Sequence, residues 1–250
     1  MSPDYAAVPR GNTQKHVNRE VLRYVLERSG LPPTSRVLDA PCGEGEFLSL
    51  LRKYWPNASL TGRDLRPDAP AVSGLRYQPA DLSQPFEAQA PGEPAFDLIT
   101  SISGVMMFGN TRTFVASCAR QLHPGGQLLV TNDNILTVRD RLSYLFLGRL
   151  RRFKLLFETD EGLSQLVQQQ ELKRLFEIHG VALREVIYTS FYGEDLLFLP
   201  LALLLYPLQW LYLRRLKSST PWALRRQLFG FRSLLGRHYI FVGEKIVVNG

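Results

Sequence analysis

Cysteine is nearly absent from this chain: Cys42 and Cys118 are its two examples in 250 residues. That is too few for a disulfide framework or a cysteine-rich zinc module. Histidine numbers four, and nothing in the spacing of His, Cys, Asp and Glu suggests a metal cluster, so no metal is expected. Internal repeats and low-complexity tracts are missing, which excludes solenoids and propellers. The opening stretch MSPDYAAVPRGNTQKHVN has no apolar core of the kind a secretory signal needs, and the expected setting is cytosolic and reducing. What is present, 45% hydrophobic and 21% charged residues, is the balance of one globular domain spanning 1–250.

Charge is distributed unevenly. The chain carries 30 basic and 23 acidic residues, a formal +7. Residues 135–157 hold six basic residues and one acidic, and residues 191–237 hold seven basic and two acidic, so everything outside these segments is slightly acidic. Both segments are also dense in Leu, Phe, Tyr and Trp. Cations mixed with large apolar side chains suit the boundary between lipid headgroups and acyl chains.

Between the basic segments, short apolar runs alternate with helical periodicity. A helix is expected over 13–29, ended by Gly30 and the Pro32-Pro33 pair. Strands are expected over 36–40, 59–64, 75–78, 96–102 and 127–132, and, after a helix near 168–180, over 181–190 and 238–248. The implied class is α/β: a doubly wound, mostly parallel seven-stranded sheet with two apolar, basic helical insertions. In such sheets ligands bind beyond the carboxyl ends of the strands.

The sharpest motif is VLDAPCGEGEF, a strand running through a glycine-containing turn into a helix. Glycines let the backbone approach a ligand, and a helix N-terminus offers unpaired N–H groups. Asp64 closes the second strand, where a carboxylate can take both hydroxyls of a ribose. Taken with GRDL, ADLSQPF, FDLITSISGV and ARQLHPGGQLLV in order, the chain resembles the class I S-adenosylmethionine-dependent methyltransferases over 34–133, and again near 168–190 and 238–248. That resemblance implies S-adenosyl-L-methionine as cofactor. It assigns Asp39, Gly43 and Gly45 to the methionine portion, Asp64 to the ribose, Asp81 and Leu82 to the adenine, and Ser101 to the wall near the sulfonium. It also implies an N-terminal lid helix over 12–30. One departure is Pro41, which stands where most members have the first glycine of the loop; its fixed φ and missing N–H bear on the turn. A nicotinamide dehydrogenase is the competing reading of the loop, but the glycine spacing is not G-x-G-x-x-G.

No catalytic residue is assigned. His123 reads as a solvated turn residue and His179 as a helix-end cap. His16, Asp133 and His238 are the candidates for a general base, each with a structural role as the competing explanation. Asn134 stands beside Asp133 as a further contact. Cys42 and Cys118 read as packing residues.

In the family's topology both insertions emerge on the substrate side of the sheet. The second begins with eighteen residues, 196–213, in which only Gln209 is strongly polar. That reaches the lower limit for a spanning helix. Spanning is disfavoured because the chain must return to complete the sheet, and Pro200 and Pro207 are expected to interrupt the helix. A surface hairpin is expected instead, with 196–213 dipping into the bilayer boundary and 221–235 lying along it, Leu224, Leu228, Phe231 and Leu235 on its lipid-facing stripe; core helices capping a substrate pocket, or an oligomer interface, are the alternative. The expected activity is methylation of a hydrophobic small-molecule or lipid-like acceptor, O-methylation favoured, in the cytoplasm and peripheral on the inner membrane face. An RNA methyltransferase and a non-catalytic cofactor-binding membrane adaptor are the rival classes. The Asn/Asp-Pro-Pro-aromatic run of many base-modifying enzymes is replaced by Ser101-Ile102-Ser103-Gly104, which disfavours nucleic acid.

Overall fold

The computed structural model describes residues 3–89, 92, 94–107, 109–151, 153, 156 and 165–247. Residues 152, 154, 155 and 157 of the first insertion, and Val248 of the last expected strand, lie outside these. Along the chain run α1 (Val17–Glu27), β1 (Arg36–Asp39), α2 (Glu46–Tyr54), β2 (Ser59–Asp64), β3 (Arg76–Pro79) and β4 (Phe96–Ser101). They are followed by α3 (Thr111–Gln121), β5 (Leu122–Asp133), α4 (Val138–Leu147), α5 (Gln169–Ile178), β6 (Val181–Thr189), α6 (Leu199–Arg215), α7 (Trp222–Leu228) and β7 (His238–Lys245). The strands form one seven-stranded sheet in the order β3-β2-β1-β4-β5-β7-β6. Every pairing is parallel except those of β7, which runs antiparallel to β5 and β6.

Alternation along the central strands splits the core into two layers. Leu38, Ile99, Leu128, Val130 and Phe241 point to one face, where they pack with Phe114, Val115 and Phe176 of α3 and α5. Their chain neighbours Val37, Leu98, Leu129, Ile240 and Val242 point to the other, against Val21, Leu22 and Val25 of α1 and Leu48 and Leu51 of α2. Strands buried on both faces must be apolar at successive positions, which is why they read as short hydrophobic runs. Each fully buried Leu, Ile or Phe contributes about 1.5–3 kcal/mol.

Three elements differ from the sequence reading. The N-terminal helix begins at Val17, not Thr13, because His16 adopts a left-handed conformation (φ 69°) that turns the chain away. α1 packs into the core through Val21, Leu22 and Val25. β5 starts five residues early, at Leu122, with Leu122 paired to Phe96 across a bulge. In the second insertion, α6 runs unbroken through Pro207, and Pro200 sits in its first turn, where the missing N–H would be unpaired in any case.

The two insertions fold together as a helical cap. Val138 of α4, Ala202 of α6 and Leu234 form its small core, with Leu142, Leu201, Leu205, Phe231 and Leu235 around it. The Arg141 guanidinium donates to Gln209 Oε1 at 2.8 Å. The stripe expected to face lipid faces protein instead: Leu224 and Leu228 join the main core, and Gln227 Oε1 accepts from the Val186 N–H of β6 at 2.9 Å. Exposed apolar side chains of the cap include Leu203, Leu204 and Leu208 of α6, Leu196 and Leu197 just before it, and Leu145 and Phe146 at the end of α4.

Candidate functional site

The carboxyl ends of β1, β2 and β4 converge on a groove lined by Asn12, Thr13, Asn18, Asp39, Pro41, Cys42, Gly43, Glu46, Phe47, Asp64, Ile102 and Ser103. Its floor is the turn between β1 and α2. The Ala40–Pro41 peptide bond in that turn is cis. The turn is fastened to β2 by two bonds: the Cys42 N–H donates to the Arg63 carbonyl at 3.0 Å, and the Gly43 N–H donates to Asp64 Oδ2 at 2.9 Å. Gly43 and Gly45 have φ of 52° and 75°, a region L side chains enter at a cost. Asp64 Oδ1 takes the Arg66 N–H at 3.3 Å. Each of its oxygens therefore keeps a lone pair for a further donor.

Asp39 is 2% exposed, and its Oδ1 accepts from the Thr100 hydroxyl at 2.6 Å. Burial pushes its pKa up to about 8, against the Thr100 bond and with the help of the carboxylates of Glu46 and Asp64. Three acidic groups thus surround a groove to which the described residues contribute no Lys, Arg or His. A ligand bearing its own positive charge supplies what the protein withholds. An α-ammonium group and a sulfonium both do so, and the ribose of a nucleoside supplies donors for Asp64, so these residues fit S-adenosylmethionine.

The remaining carried-over residues fall outside the groove lining. A Cβ on Gly45 would lie 2.6 Å from Val72 Cγ2, which makes this position a packing requirement between α2 and the loop after β2. Asp81 is exposed, and its Oδ1 accepts from the N–H of Ser83 at 2.9 Å and its hydroxyl at 2.7 Å. Leu82 is in the core. Ser101 is fully buried in β4; Ile102 and Ser103 occupy the groove edge where Ser101 was expected. Cys42 does line the groove, but burial and the charges of Asp39 and Asp64 push its thiol pKa up, away from a nucleophilic thiolate.

A second cavity, of about 460 Å³, adjoins the groove and shares Asn12, Thr13 and Ser103 with it. Arg10, Gly11, Gln14, Met106, Met107, Asp133 and His238 complete its wall. At the junction Thr13 Oγ1 and Ser103 Oγ are 2.5 Å apart, and Ser103 has a left-handed φ of 54°. The irregular segment 10–14 lines these cavities, with Asn18 of α1 beside it in the groove. Of the three candidate bases, Asp133 and His238 reach this cavity. His16 lines neither cavity, and burial with the charges of Arg19 and Lys15 pushes its pKa down. His123 is exposed, but it lies in the early part of β5 and not in a turn. Among the described residues no group of His, Cys, Asp and Glu is arranged to hold a metal ion.

Asn12, Thr13 and Ser103 were not legible as site residues, since no local motif marks them. Both hydroxyls come from segments that meet only in the fold.

Comparison with known proteins agrees with this geometry. Residues 13–186 match the family model described as a methyltransferase domain. Over 185 residues the chain is 30% identical to a ubiquinone biosynthesis O-methyltransferase of Aromatoleum aromaticum, covering 70% of this chain and 75% of that one. It is 27% identical to a malonyl-[acyl-carrier protein] O-methyltransferase of Paenibacillus over 132 residues, 48% of this chain and 47% of that one. The chain thus spans about half the length of some of the curated relatives it matches. A solved S-adenosylmethionine-dependent methyltransferase from Archaeoglobus fulgidus shares the fold, with a TM-score of 0.56 and 17% identity over 92% of this chain and 93% of that one. The chain belongs to the methyltransferase-domain family, the class I enzymes that use S-adenosylmethionine.

Proposed function

We propose that this chain methylates an oxygen atom of a hydrophobic small-molecule or lipid-like acceptor, working against an anionic membrane surface. The observation that carries the reading is the junction at Thr13 and Ser103, where an acidic cofactor groove opens into a larger cavity. When bound, S-adenosylmethionine supplies an electrophilic methyl carbon on a cationic sulfur. The chain's own residues then have separable tasks. Asp64 accepts hydrogen bonds from ribose hydroxyls. Asp39 and Glu46 balance positive charge. The 10–14 segment closes over the junction and excludes water, so that the methyl carbon faces a single cavity.

Support for an oxygen acceptor comes from relatives named as O-methyltransferases. Support for an apolar acceptor comes from Met106 and Met107 in the cavity wall and from the cap beside it. Leu145, Phe146, Leu197 and Leu204 are each more than two-thirds exposed, with Arg214, Arg215 and Lys217 exposed at the far end of α6. A helical stretch, Gly193–Arg215, is long and apolar enough to cross a bilayer by length and composition. A reading without a single crossing is supported by the segment leaving from Thr189 and returning to His238, two residues that pair in the β6–β7 register. An interfacial orientation satisfies both constraints. A methylation screen of lipid extracts with isotope-labelled S-adenosylmethionine, read by mass spectrometry, is the test. Label is expected in an extractable, apolar product on oxygen; label confined to RNA or to water-soluble acids would overturn the proposal.

A further inference from the structure

Asp133 ends β5, His238 begins β7, and the antiparallel register places them directly opposite each other. The His238 Nδ1 lies 3.2 Å from Asp133 Oδ1, and both residues line the larger cavity. The other ring nitrogen, Nε2, is 3.2 Å from Thr131 Oγ1 and 3.5 Å from Ser103 Oγ. Thr131 Oγ1 in turn accepts the Ser103 N–H at 2.8 Å. A line of hydroxyls, Thr13 to Ser103, therefore leads from the cavity junction to the imidazole.

A carboxylate on Nδ1 has a definite consequence. It holds the proton on that nitrogen, leaves Nε2 as the basic one, and stabilises the imidazolium that forms when Nε2 takes a proton. Pairing β5 to β7 needs only backbone bonds, so a pair of this chemistry on a cavity wall calls for another explanation. We propose that His238, positioned by Asp133, is the general base for methyl transfer, and that the acceptor is accordingly a phenol or alcohol. This rests on the methyltransferase reading above. A carboxylate acceptor is already ionised near pH 7 and needs no base, and Asp133 would repel it.

The step balances. The acceptor O–H bond breaks and its proton goes to His238 Nε2, the oxygen lone pair forms the bond to the methyl carbon, and the carbon–sulfur pair returns to sulfur. One positive charge disappears from sulfur and one appears on the imidazole, beside Asp133. Among the described residues, the other charged group lining the cavity is Arg10; the chain neighbour Arg237 is held by Asp195 and Glu194, and the β6 partner Thr189 is neutral.

The test uses the full chain with two phenolic probes, 4-nonylcatechol and 4-nitrocatechol, and one carboxylate probe, 4-nonylbenzoate. For the catechol, His238→Asn is expected to lower kcat by roughly 10²–10⁴ and to remove the alkaline rise in the pH profile, with S-adenosylhomocysteine affinity unchanged. Asp133→Asn should act in the same direction by less. Nitrocatechol, ionised at the assay pH, should be methylated at nearly equal rates by wild type and His238→Asn. A second readout needs no turnover: in ¹⁵N spectra of the S-adenosylhomocysteine complex the His238 proton should sit on Nδ1, and 4-nonylcatechol should shift Nε2. A loss of equal size with both catechols marks a structural role and overturns the proposal. So does an unshifted Nε2, or a wild type that methylates the benzoate alone. Failure to bind S-adenosylhomocysteine at all would instead overturn the methyltransferase reading itself.

Discussion

The ring of Tyr192 lies over the guanidinium of Arg237, 4.3 Å from ring centroid to Cζ, at the point where the second insertion both leaves and rejoins the sheet. The Tyr192 hydroxyl donates to Gln14 Oε1 at 3.0 Å and accepts the Lys15 N–H at 3.3 Å. Ser190 adds a bond from its hydroxyl to the Lys15 carbonyl at 2.7 Å. The cap is thereby joined to the segment that lines the cofactor groove. Tyr192→Phe keeps the stacking and deletes the two hydroxyl bonds. Each such bond contributes about 0.5–1.5 kcal/mol net and the two together about 1–3 kcal/mol, so the dissociation constant for S-adenosylhomocysteine should rise by about five- to a hundredfold by calorimetry if the segment is ordered mainly through them.

Asp64 accepts one N–H from the cofactor loop and one from its own turn, and retains acceptor capacity toward the groove. Asp64→Ala should weaken S-adenosylhomocysteine binding by about 1.5–3 kcal/mol through loss of charge-assisted bonds. An unchanged dissociation constant would remove the ribose assignment. Because the Gly43 N–H also loses its partner, a urea titration of the free protein separates the loop's share of the loss.

Asp39 makes cofactor binding pH-dependent. Its pKa is raised from the ordinary 3.8 to about 8 by burial first, then by Glu46 and Asp64. The unliganded fold therefore keeps a proton that the unfolded chain releases. The resulting stabilisation is complete below about pH 4 and is lost as pH climbs through 8. A cationic ligand favours the carboxylate and expels that proton. Calorimetry with S-adenosylmethionine at pH 7, in buffers of different ionisation enthalpy, should show close to one proton released per ligand, and affinity should increase from pH 6 to 8. Asp39→Asn should abolish both effects.

How far the sequence carried depended on whether the governing interaction was local. β1, β2 and β4 were placed within a residue or so because VLDA, SLTGRD and FDLITS are bounded apolar runs whose neighbours face opposite sides of the sheet. The start of β5 was not, since Pro124, Gly125 and Gly126 read as a turn while the pairing of Leu122 with Phe96 extends the strand beneath them. Ser101 lies below the groove edge for a related reason: β4 stays buried through Ser101, and the chain exposes its polar groups only when Ser103 turns left-handed. Periodicity reports α1 clearly, whereas the bond between Thr13 and Ser103 spans ninety residues of sequence. The Asp133–His238 pair is a register fact, and register becomes visible only once β7 is known to run antiparallel. In the cap, the apolar stripe of 221–235 was legible but not its direction, because β6 and α6 cover it.

That last reversal leaves α6 alone as the proposed membrane contact and gives a clean experiment. Leu204 and Leu208 are each more than 60% exposed and belong to none of the three buried clusters, so replacing both with Glu should leave the melting temperature nearly unchanged. Burying a Leu side chain in the acyl boundary contributes about 1.5–3 kcal/mol, and each Glu adds repulsion from an anionic headgroup layer. Flotation with vesicles of phosphatidylglycerol and phosphatidylcholine should therefore recover wild type at the lipid layer at low salt and leave Leu204→Glu/Leu208→Glu behind. Arg214→Gln/Arg215→Gln should weaken binding to these vesicles without altering binding to pure phosphatidylcholine. Equal flotation of wild type and the Glu variant would place the contact elsewhere. Wild type remaining soluble at every lipid composition would make the exposed leucines a protein-binding face, and sedimentation should then detect self-association that the Glu pair abolishes.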